Sequence, residues 1–344
     1  MKSLILTDIM KTGHHWWYAQ FLRRNTITSE QIEICDDYYK LNNFNLSTFD
    51  RRIAIICVMN DDLLKNPEYK IDLERRIEQL SEKKFKFILG IPWESRETSI
   101  GNKHIQLFSN ISKFTWYGQS NWFWFLMYEK NQNKNFNFDH SNKKYDFFYL
   151  NKQKRPHRVQ LYNELLSSRL LANSLYTFIG LDKPVRLPKE YELPWVDRKN
   201  YPWHNHDQDM YEKPYNETKC NIVSETNVDH NEIFLTEKVW KAIIAEQPFV
   251  VHGQTGYLKK LNQLGFKSFQ NCFDESYDNE LDHEKRIEKI VVTLKDIKKR
   301  DANQFYQETF DIRQHNKNFF WNKNKLSDSI NITILDFFKF VDGS

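Results

Sequence analysis

Short apolar runs, separated by longer segments of helical pattern, constrain the fold of this chain more than any other feature. The clearest of these runs are Ile53–Val58, Phe85–Gly90, Tyr145–Leu150, Cys220–Ser224 and Phe249–His252. A strand that is apolar at nearly every position is buried on both faces, which is typical of parallel sheets covered by helices. The alternation of strands and helices therefore predicts an α/β fold built from parallel sheets.

The length of the chain and a polar stretch in its middle indicate two domains. At 344 residues the chain exceeds the size that one hydrophobic core usually serves. From residue 129 to 144 the composition shifts to Asn, Lys and Asp, which is typical of a linker. We therefore predict two Rossmann-like α/β/α domains, residues 1–140 and 141–325, followed by a terminal segment, 326–344.

The segment Ile233–Trp240 places an acid and a base side by side at the start of a predicted helix. Thr236 is typical of a helix N-cap, and Glu237 and Lys238 follow it directly. In open α/β sheets, ligands bind beyond the carboxyl ends of strands, where helix N-termini attract phosphates. Lys238 would add a full positive charge there, and Glu237 could accept both hydroxyls of a ribose. The alternative is an ordinary capped surface helix whose charges are solvated.

A second cationic helix start follows the predicted strand Tyr145–Leu150. Arg155 and Arg158 flank Pro156, which suits the first turn of a helix because that position needs no N–H. Positive charge at a helix N-terminus is unfavourable unless an anion is present, and an arginine fork matches the oxygens of a phosphate. We therefore predict that Arg158, or as second choice Arg155, binds a phosphate. The alternative is an ordinary basic helix start.

Three stretches of the sequence resemble the donor half of GT-B glycosyltransferases, namely Phe234–Lys238, Pro248–Val251 and Gly256–Phe269. The similarity is to the α-1,3-fucosyltransferase-like enzymes and related phage and bacterial sugar transferases. In the fucosyltransferases a Thr-Glu-Lys motif places the glutamate on the nucleotide ribose and the lysine on the pyrophosphate, which implies these roles for Glu237 and Lys238. Upstream, 145–158 resembles the first strand and phosphate-facing turn of the same domain, which implies that an arginine there contacts the diphosphate.

The resemblance implies a GT-B fold, in which two Rossmann-like α/β/α domains face a cleft and 326–344 forms a helix that packs back on the first domain. It implies transfer of a sugar from a UDP- or GDP-linked donor, held by 141–325, to an acceptor hydroxyl held by 1–140. The expected reaction is inverting and requires no metal ion or other cofactor. The expected acceptor is a glycan, and the alternative acceptor is a hydroxylated nucleobase of phage DNA. A non-catalytic nucleotide- or sugar-binding protein on the same fold is the alternative function.

An inverting sugar transfer needs a base that takes the proton of the acceptor hydroxyl. Glu94 follows a predicted strand end and is the preferred candidate. His14 and His15 lie in the first βα turn and titrate near neutrality, so either could replace it. The alternatives are a solvated loop acid at Glu94 and histidines that cap a helix or pack on neighbouring tryptophans.

Other polar and aromatic segments give weaker predictions. Glu225, directly after a predicted strand, and Asp274, beyond the last one, are candidates for donor contacts. The segment Trp203–Asp209 contains HxH and DxD spacings that could hold a metal ion, but a solvated loop is the favoured interpretation. The aromatic segment Trp116–Tyr128 could stack sugars or bases, and core packing is favoured there.

The composition narrows the location and the partners of the protein. Lys and Arg number 50 against 46 Asp and Glu, and the net charge of +4 is too small to indicate a nucleic-acid partner. Four cysteines without CxxC spacing favour a reducing compartment. The apolar run at the N-terminus is too short for a signal peptide, and no stretch approaches a membrane span. We expect a cytoplasmic protein, in the host cytoplasm if the chain is viral.

Overall fold

The chain divides into two compact units, and each is built on its own parallel sheet. The computed structural model describes residues 2–7, 31–35, 37–57, 67–91, 112–115, 119–191, 209–228, 233 and 235–329. One unit comprises Met1–Gln119 with Ser327–Ser344, and the other comprises Ser120–Leu326. The predicted α/β fold with two parallel sheets is confirmed.

In the first unit, the described strands form a parallel sheet in the order β2-β1-β3-β4-β5. The strands are β1 (Lys2–Leu6), β2 (Gln31–Cys35), β3 (Arg51–Cys57), β4 (Lys86–Ile91) and β5 (Ser112–Thr115). Helix α1 (Pro67–Glu82) lies between β3 and β4 in the chain. Its side chains Leu73 and Leu80 are buried against Leu4 and Leu6 of β1, so α1 covers one face of the sheet.

In the second unit, the described strands form a parallel sheet in the order β7-β6-β8-β9. The strands are β6 (Tyr145–Asn151), β7 (Ser174–Phe178), β8 (Thr218–Ser224) and β9 (Phe249–His252). Every residue of β8 and of β9 is buried. Burial of both faces of these strands explains the apolar residues Cys220, Ile222 and Val223 of β8 and Phe249–Val251 of β9.

The helices of the second unit cover both faces of this sheet. The described helices are α2 (Gln119–Asn131), α3 (Pro156–Ser167), α4 (Glu212–Glu217), α5 (Glu237–Ile244), α6 (Tyr257–Gln263), α7 (His283–Lys299), α8 (Ala302–Glu308) and α9 (Phe310–Phe320). The connection β6-α3-β7 moves towards one edge of the sheet, and β8-α5-β9 moves towards the other. Because such crossovers are right-handed, α3 and α5 lie on opposite faces, and the order of the strands reverses between β6 and β8.

The boundary between the units differs from the expected one near residue 140. Helix α2 packs in the second unit, where the ring of Trp124 stacks on that of Trp240 at 6.0 Å and its Nε1 donates to the Phe320 carbonyl at 2.9 Å. Residues 123–127 are buried, so this part of the aromatic segment forms core. The polar stretch 129–144 runs along the second unit, because its main chain binds Asn216 and Glu217 at the end of α4.

Other predictions of secondary structure meet different outcomes. The segment 266–269 forms no strand, and Phe266 and Phe269 are buried core side chains. Residues 330–344 of the expected C-terminal helix lie outside the described residues. Among the helices that the structure describes, none is both long and apolar enough to span a membrane.

Candidate functional site

The carboxyl ends of β6 and β8 lie at the point where the strand order reverses, which is where open α/β sheets bind ligands. Arg155, the N-cap residue of α3, bridges the two loops that leave these strands. Its Nη1 donates to the Thr226 carbonyl at 2.9 Å and to Asn227 Oδ1 at 3.3 Å. The turn before α3 is thereby fixed against the loop after β8.

Glu225, the first residue after β8, is fully buried and organises this loop. Its Oε1 accepts hydrogen bonds from the Thr236 N–H at 3.2 Å and the Tyr257 hydroxyl at 2.6 Å. Its Oε2 accepts from the Thr226 N–H at 3.2 Å and the Thr236 hydroxyl at 2.7 Å. Four donors from three separate segments therefore hold one buried carboxylate, as a buried polar group requires.

Two side chains from the first turn of α3 bind the main-chain carbonyl of the same glutamate. The Nε and Nη2 atoms of Arg158 lie 3.3 and 3.1 Å from the Glu225 oxygen. His157 Nε2 lies 3.1 Å from it and must be the protonated nitrogen, because a carbonyl only accepts. Burial lowers the pKa of Arg158 and, with the two nearby arginines, lowers the pKa of His157 to about 4, so His157 is neutral at pH 7.

Lys238 reaches the carboxylate of Glu225 from the first turn of α5. Its Nζ lies 3.8 Å from Glu225 Oε2, 2.8 Å from Glu237 Oε1 and 3.0 Å from the Thr236 hydroxyl. Thr236 is the N-cap of α5 and accepts from the Lys238 N–H at 3.4 Å, as its position predicts. The side chain of Lys238 keeps 24% of its surface exposed, so the ammonium can exchange partners.

Glu237 is the other charged group at this helix start. Burial raises its pKa, but the Lys238 and Lys241 ammonium groups outweigh that effect and hold the pKa below its usual value. The carboxylate is therefore ionised at pH 7. Arg158, Lys238 and Glu237 thus form two cationic positions and one anionic position around the loop after β8.

Gly180 fixes the loop that leads into α3. A Cβ atom at Gly180 would lie 2.7 Å from both the Lys152 carbonyl oxygen and the Lys154 nitrogen. Only glycine lets the two main chains approach so closely, since a Cβ atom in a side chain does not come within 2.7 Å of main-chain atoms. The loop after β7 therefore supports the loop after β6 that carries Arg155.

Asp274 is not brought together with the other candidates. It is exposed, and its carboxylate accepts from the main-chain N–H and the hydroxyl of Ser276, both at 2.9 Å. Its carbonyl accepts from Thr293, which lies seven residues, or about 10 Å along α7, beyond Arg286. Arg286 itself donates to the Gly253 carbonyl, beside the carboxyl end of β9. Asp274 therefore lies towards the amino ends of the strands, away from the candidate site.

The remaining candidates fall mostly outside the described residues. Glu94, His14 and His15 lie there, as does 203–208 of the possible metal motif. Asp209 is described, and its carboxylate lies 3.4 Å from the Lys130 ammonium and 3.6 Å from that of Lys134. No group of three His, Cys, Asp or Glu side chains suited to a metal ion occurs within the part of the chain that the structure describes.

Sequence reasoning missed two contributors to the site. Tyr257, which binds Glu225, lies inside a stretch that resembles GT-B enzymes but was assigned no role. His157 stands between the two arginines of interest, and its polarity at a helix start was the only available signal. Neither partner could be read from spacing, because Tyr257 and His157 lie 32 and 68 residues from Glu225.

Comparisons with known proteins give a distant structural likeness. No protein-family model matches the chain, and no curated protein does. A crystal structure of an α1,3-fucosyltransferase is 8% identical with a TM-score of 0.35, over 94% of this chain and 91% of that chain. A crystal structure of an α1,3-fucosyltransferase with GDP-fucose is 9% identical with a TM-score of 0.30, over 91% and 90%.

Proposed function

We propose that this chain is a glycosyltransferase whose second unit binds a UDP- or GDP-linked sugar where the strand order reverses. The observation that carries the proposal is the meeting of Arg158 and Lys238 on one residue, Glu225, from the N-terminal turns of two helices. Two cations beside two helix N-termini suit a diphosphate, whose oxygens accept from guanidinium, ammonium and main-chain N–H groups. Glu237, held ionised, suits the hydroxyls of a ribose.

In the proposed reaction, an acceptor hydroxyl displaces the nucleoside diphosphate from the sugar in one inverting step. The negative charge on the leaving diphosphate grows as the bond breaks, and Arg158 and Lys238 stabilise it. Because these two cationic side chains can balance the negative charge of the diphosphate, we propose that no metal ion is required. The proton of the acceptor hydroxyl goes to a general base, for which Glu94, His14 and His15 remain the candidates.

We propose a glycan as the acceptor, since the net charge of +4 is small for a protein that holds a polyanion. The salt dependence of acceptor binding tests this choice. A glycan acceptor predicts affinity that changes little between 50 and 200 mM salt, whereas a DNA acceptor predicts a loss of about a thousandfold or more for six to ten phosphate contacts.

Calorimetry and product analysis test the activity itself. The wild-type protein is expected to bind at least one of GDP-fucose, GDP-mannose, UDP-glucose and UDP-galactose. Without added acceptor, it is expected to hydrolyse the bound nucleotide sugar slowly and to release the nucleoside diphosphate. Lys238→Ala is expected to weaken the binding and to slow the release, and Lys295→Ala, which removes an exposed lysine of α7, is expected to change neither. Binding without turnover under any acceptor condition would instead support a non-catalytic binding protein.

A further inference from the structure

One level of the second sheet carries polar side chains on three neighbouring strands. Asn151 of β6 is paired in register with the apolar Phe178 of β7, and Ser224 of β8 is paired with His252 of β9. Phe147 is paired with Cys220, so the residues four further along, Asn151 and Ser224, lie at the same level and on the same face. Asn151, Ser224 and His252 thus form a polar row across the carboxyl edge of the sheet.

The polar row is buried without hydrogen-bond partners among the described residues. Asn151, Ser224 and His252 are 3%, 1% and 0% exposed. Both polar atoms of the Asn151 amide, the Ser224 hydroxyl and both ring nitrogens of His252 lack a partner. The Tyr149 hydroxyl lies near the Asn151 amide and the Ser224 hydroxyl and interacts weakly with both, but it meets neither at full hydrogen-bond geometry. Buried polar atoms are rarely left unpaired, so a concentration of them points to a polar group that occupies this place.

The row is uncharged and is covered by two half-buried rings. The imidazole of His157 on α3 lies 5.7 Å from that of His252, and the imidazole of His283 on α7 lies 5.2 Å from it, between ring centroids. Burial, the neighbouring histidines and Arg286 hold the pKa of His252 well below its usual value. His252 therefore offers one donor and one acceptor at pH 7, as a neutral imidazole does.

The polar row adjoins the two cations of the candidate site. Ser224 immediately precedes Glu225, to whose carbonyl Arg158 and His157 donate. A nucleotide sugar joins a charged diphosphate directly to an uncharged ring with several hydroxyl groups. The cations match the first part, and the neutral row, with its mixture of donors and acceptors, matches the second.

We propose that Asn151, Ser224 and His252 form the subsite that holds the hydroxyl groups of the donor sugar. This inference rests on the proposed function, because it requires a nucleotide sugar at the adjoining cations. Each sugar hydroxyl can donate and accept at once, which suits the Asn151 amide and the His252 ring. The rings that cover the row, those of His157 and His283, are only half-buried, so the sugar would enter on their side.

Calorimetry on the full chain separates the sugar from the diphosphate. GDP-fucose and GDP-mannose are each compared with GDP, and UDP-glucose and UDP-galactose with UDP. For the pair with the largest effect, the wild-type nucleotide sugar is expected to bind more tightly than its diphosphate. Ser224→Ala and Asn151→Leu are each expected to reduce that affinity ratio about three- to tenfold, as the loss of one hydrogen bond does. Each is expected to leave the affinity for the diphosphate within about twofold of the wild-type value.

A matched variant on the same strand controls for packing. Val251→Ala shortens a buried side chain of β9 that points to the opposite face from His252, and it is expected to leave the affinity ratio unchanged. Asn151→Ala removes the amide and adds neither bulk nor charge. It serves as the second variant if Asn151→Leu does not fold, with the same expected loss of ratio.

Failure of this subsite differs from failure of the proposed function. If the wild-type protein binds no diphosphate and no nucleotide sugar, the proposed function fails and the subsite with it. If it binds a diphosphate but no sugar of the panel adds affinity, only the subsite is overturned. An affinity ratio that is unchanged in Ser224→Ala and in the Asn151 variant also overturns the subsite. That result would mean that buried water, and not the sugar, satisfies the polar row.

Discussion

The guanidinium of Arg158 donates two hydrogen bonds to the main-chain carbonyl of Glu225, at 3.3 and 3.1 Å, while the Glu225 carboxylate lies 3.8 Å from the Lys238 ammonium. One buried residue therefore sets the positions of both cations. Since Glu225 is itself held by four donors, the two cations are placed before any ligand arrives. Preorganised charge of this kind is what stabilises a leaving diphosphate.

Replacement of Arg158 by lysine tests the geometry of this contact. An ammonium keeps the charge but cannot make two parallel bonds in the manner of a guanidinium. We expect Arg158→Lys to weaken binding of GDP or UDP about tenfold to a hundredfold, as loss of a charge-assisted hydrogen bond does. Titration calorimetry measures this change, and an affinity equal to that of the wild type would mean that the arginine fork is not used.

Replacement of Glu225 by glutamine tests its role as the organiser of the loop. The amide has the same shape, but its NH2 group would face N–H or O–H donors where a carboxylate oxygen now accepts. We expect Glu225→Gln to lower the free energy of unfolding by about 1–3 kcal/mol, because a buried donor loses its partner. Urea denaturation measures the change. A matched Glu288→Gln on the exposed face of α7 should leave stability within about 0.5 kcal/mol.

The depressed pKa values of His157 and His252 predict acid sensitivity. Both groups bind protons more readily in the unfolded chain, where the pKa is 6.5, than in the folded one, where that of His157 is about 4. Between these values the unfolded state binds more protons, so the free energy of unfolding falls as the pH falls. The slope is at most about 1.4 kcal/mol per pH unit for each histidine.

Urea denaturation at pH 7, 6 and 5 measures this slope. His252→Phe, which cannot be protonated, is expected to show a shallower fall than the wild type. Equal slopes in the two proteins would show that His252 is protonated as readily when folded as when unfolded.

Replacement of Gly180 by alanine tests the support of the loop before α3. The new Cβ would lie 2.7 Å from two main-chain atoms of Lys152 and Lys154, so the loop that carries Arg155 must move. We expect Gly180→Ala to lower both the melting temperature and the affinity for GDP or UDP. A lower melting temperature with unaltered affinity would separate this loop from the ligand site.

Local signals in the sequence were sufficient for the strands and helix starts of the second unit. Pro156 lies in the first turn of α3 and Thr236 caps α5, because both depend on a few neighbouring residues. The apolar runs at β6, β8 and β9 were equally clear, since these strands are buried on both faces. The short strands β2 and β5 carry no comparable run and were not predicted.

Contacts between distant residues could not be predicted in the same way. Trp124 belongs to the second unit because it packs on Trp240 and Phe320, which follow it by 116 and 196 residues. Without those contacts, the polar composition after α2 indicates a linker. In the same way, the positions of Arg158 and Lys238 at helix starts could be predicted from the sequence, but their common partner Glu225 required the fold.

A double-mutant cycle on GDP and UDP binding tests the central claim that Arg158 and Lys238 hold one diphosphate. Arg158→Gln and Lys238→Met remove the charges and keep most of each side chain. For whichever nucleotide the wild type binds, we predict that each change lowers the affinity at least about tenfold, and that the effects of the two are not additive, with a coupling energy of at least about 0.5 kcal/mol. Unaltered affinity in Lys238→Met, or strictly additive effects, would contradict the account.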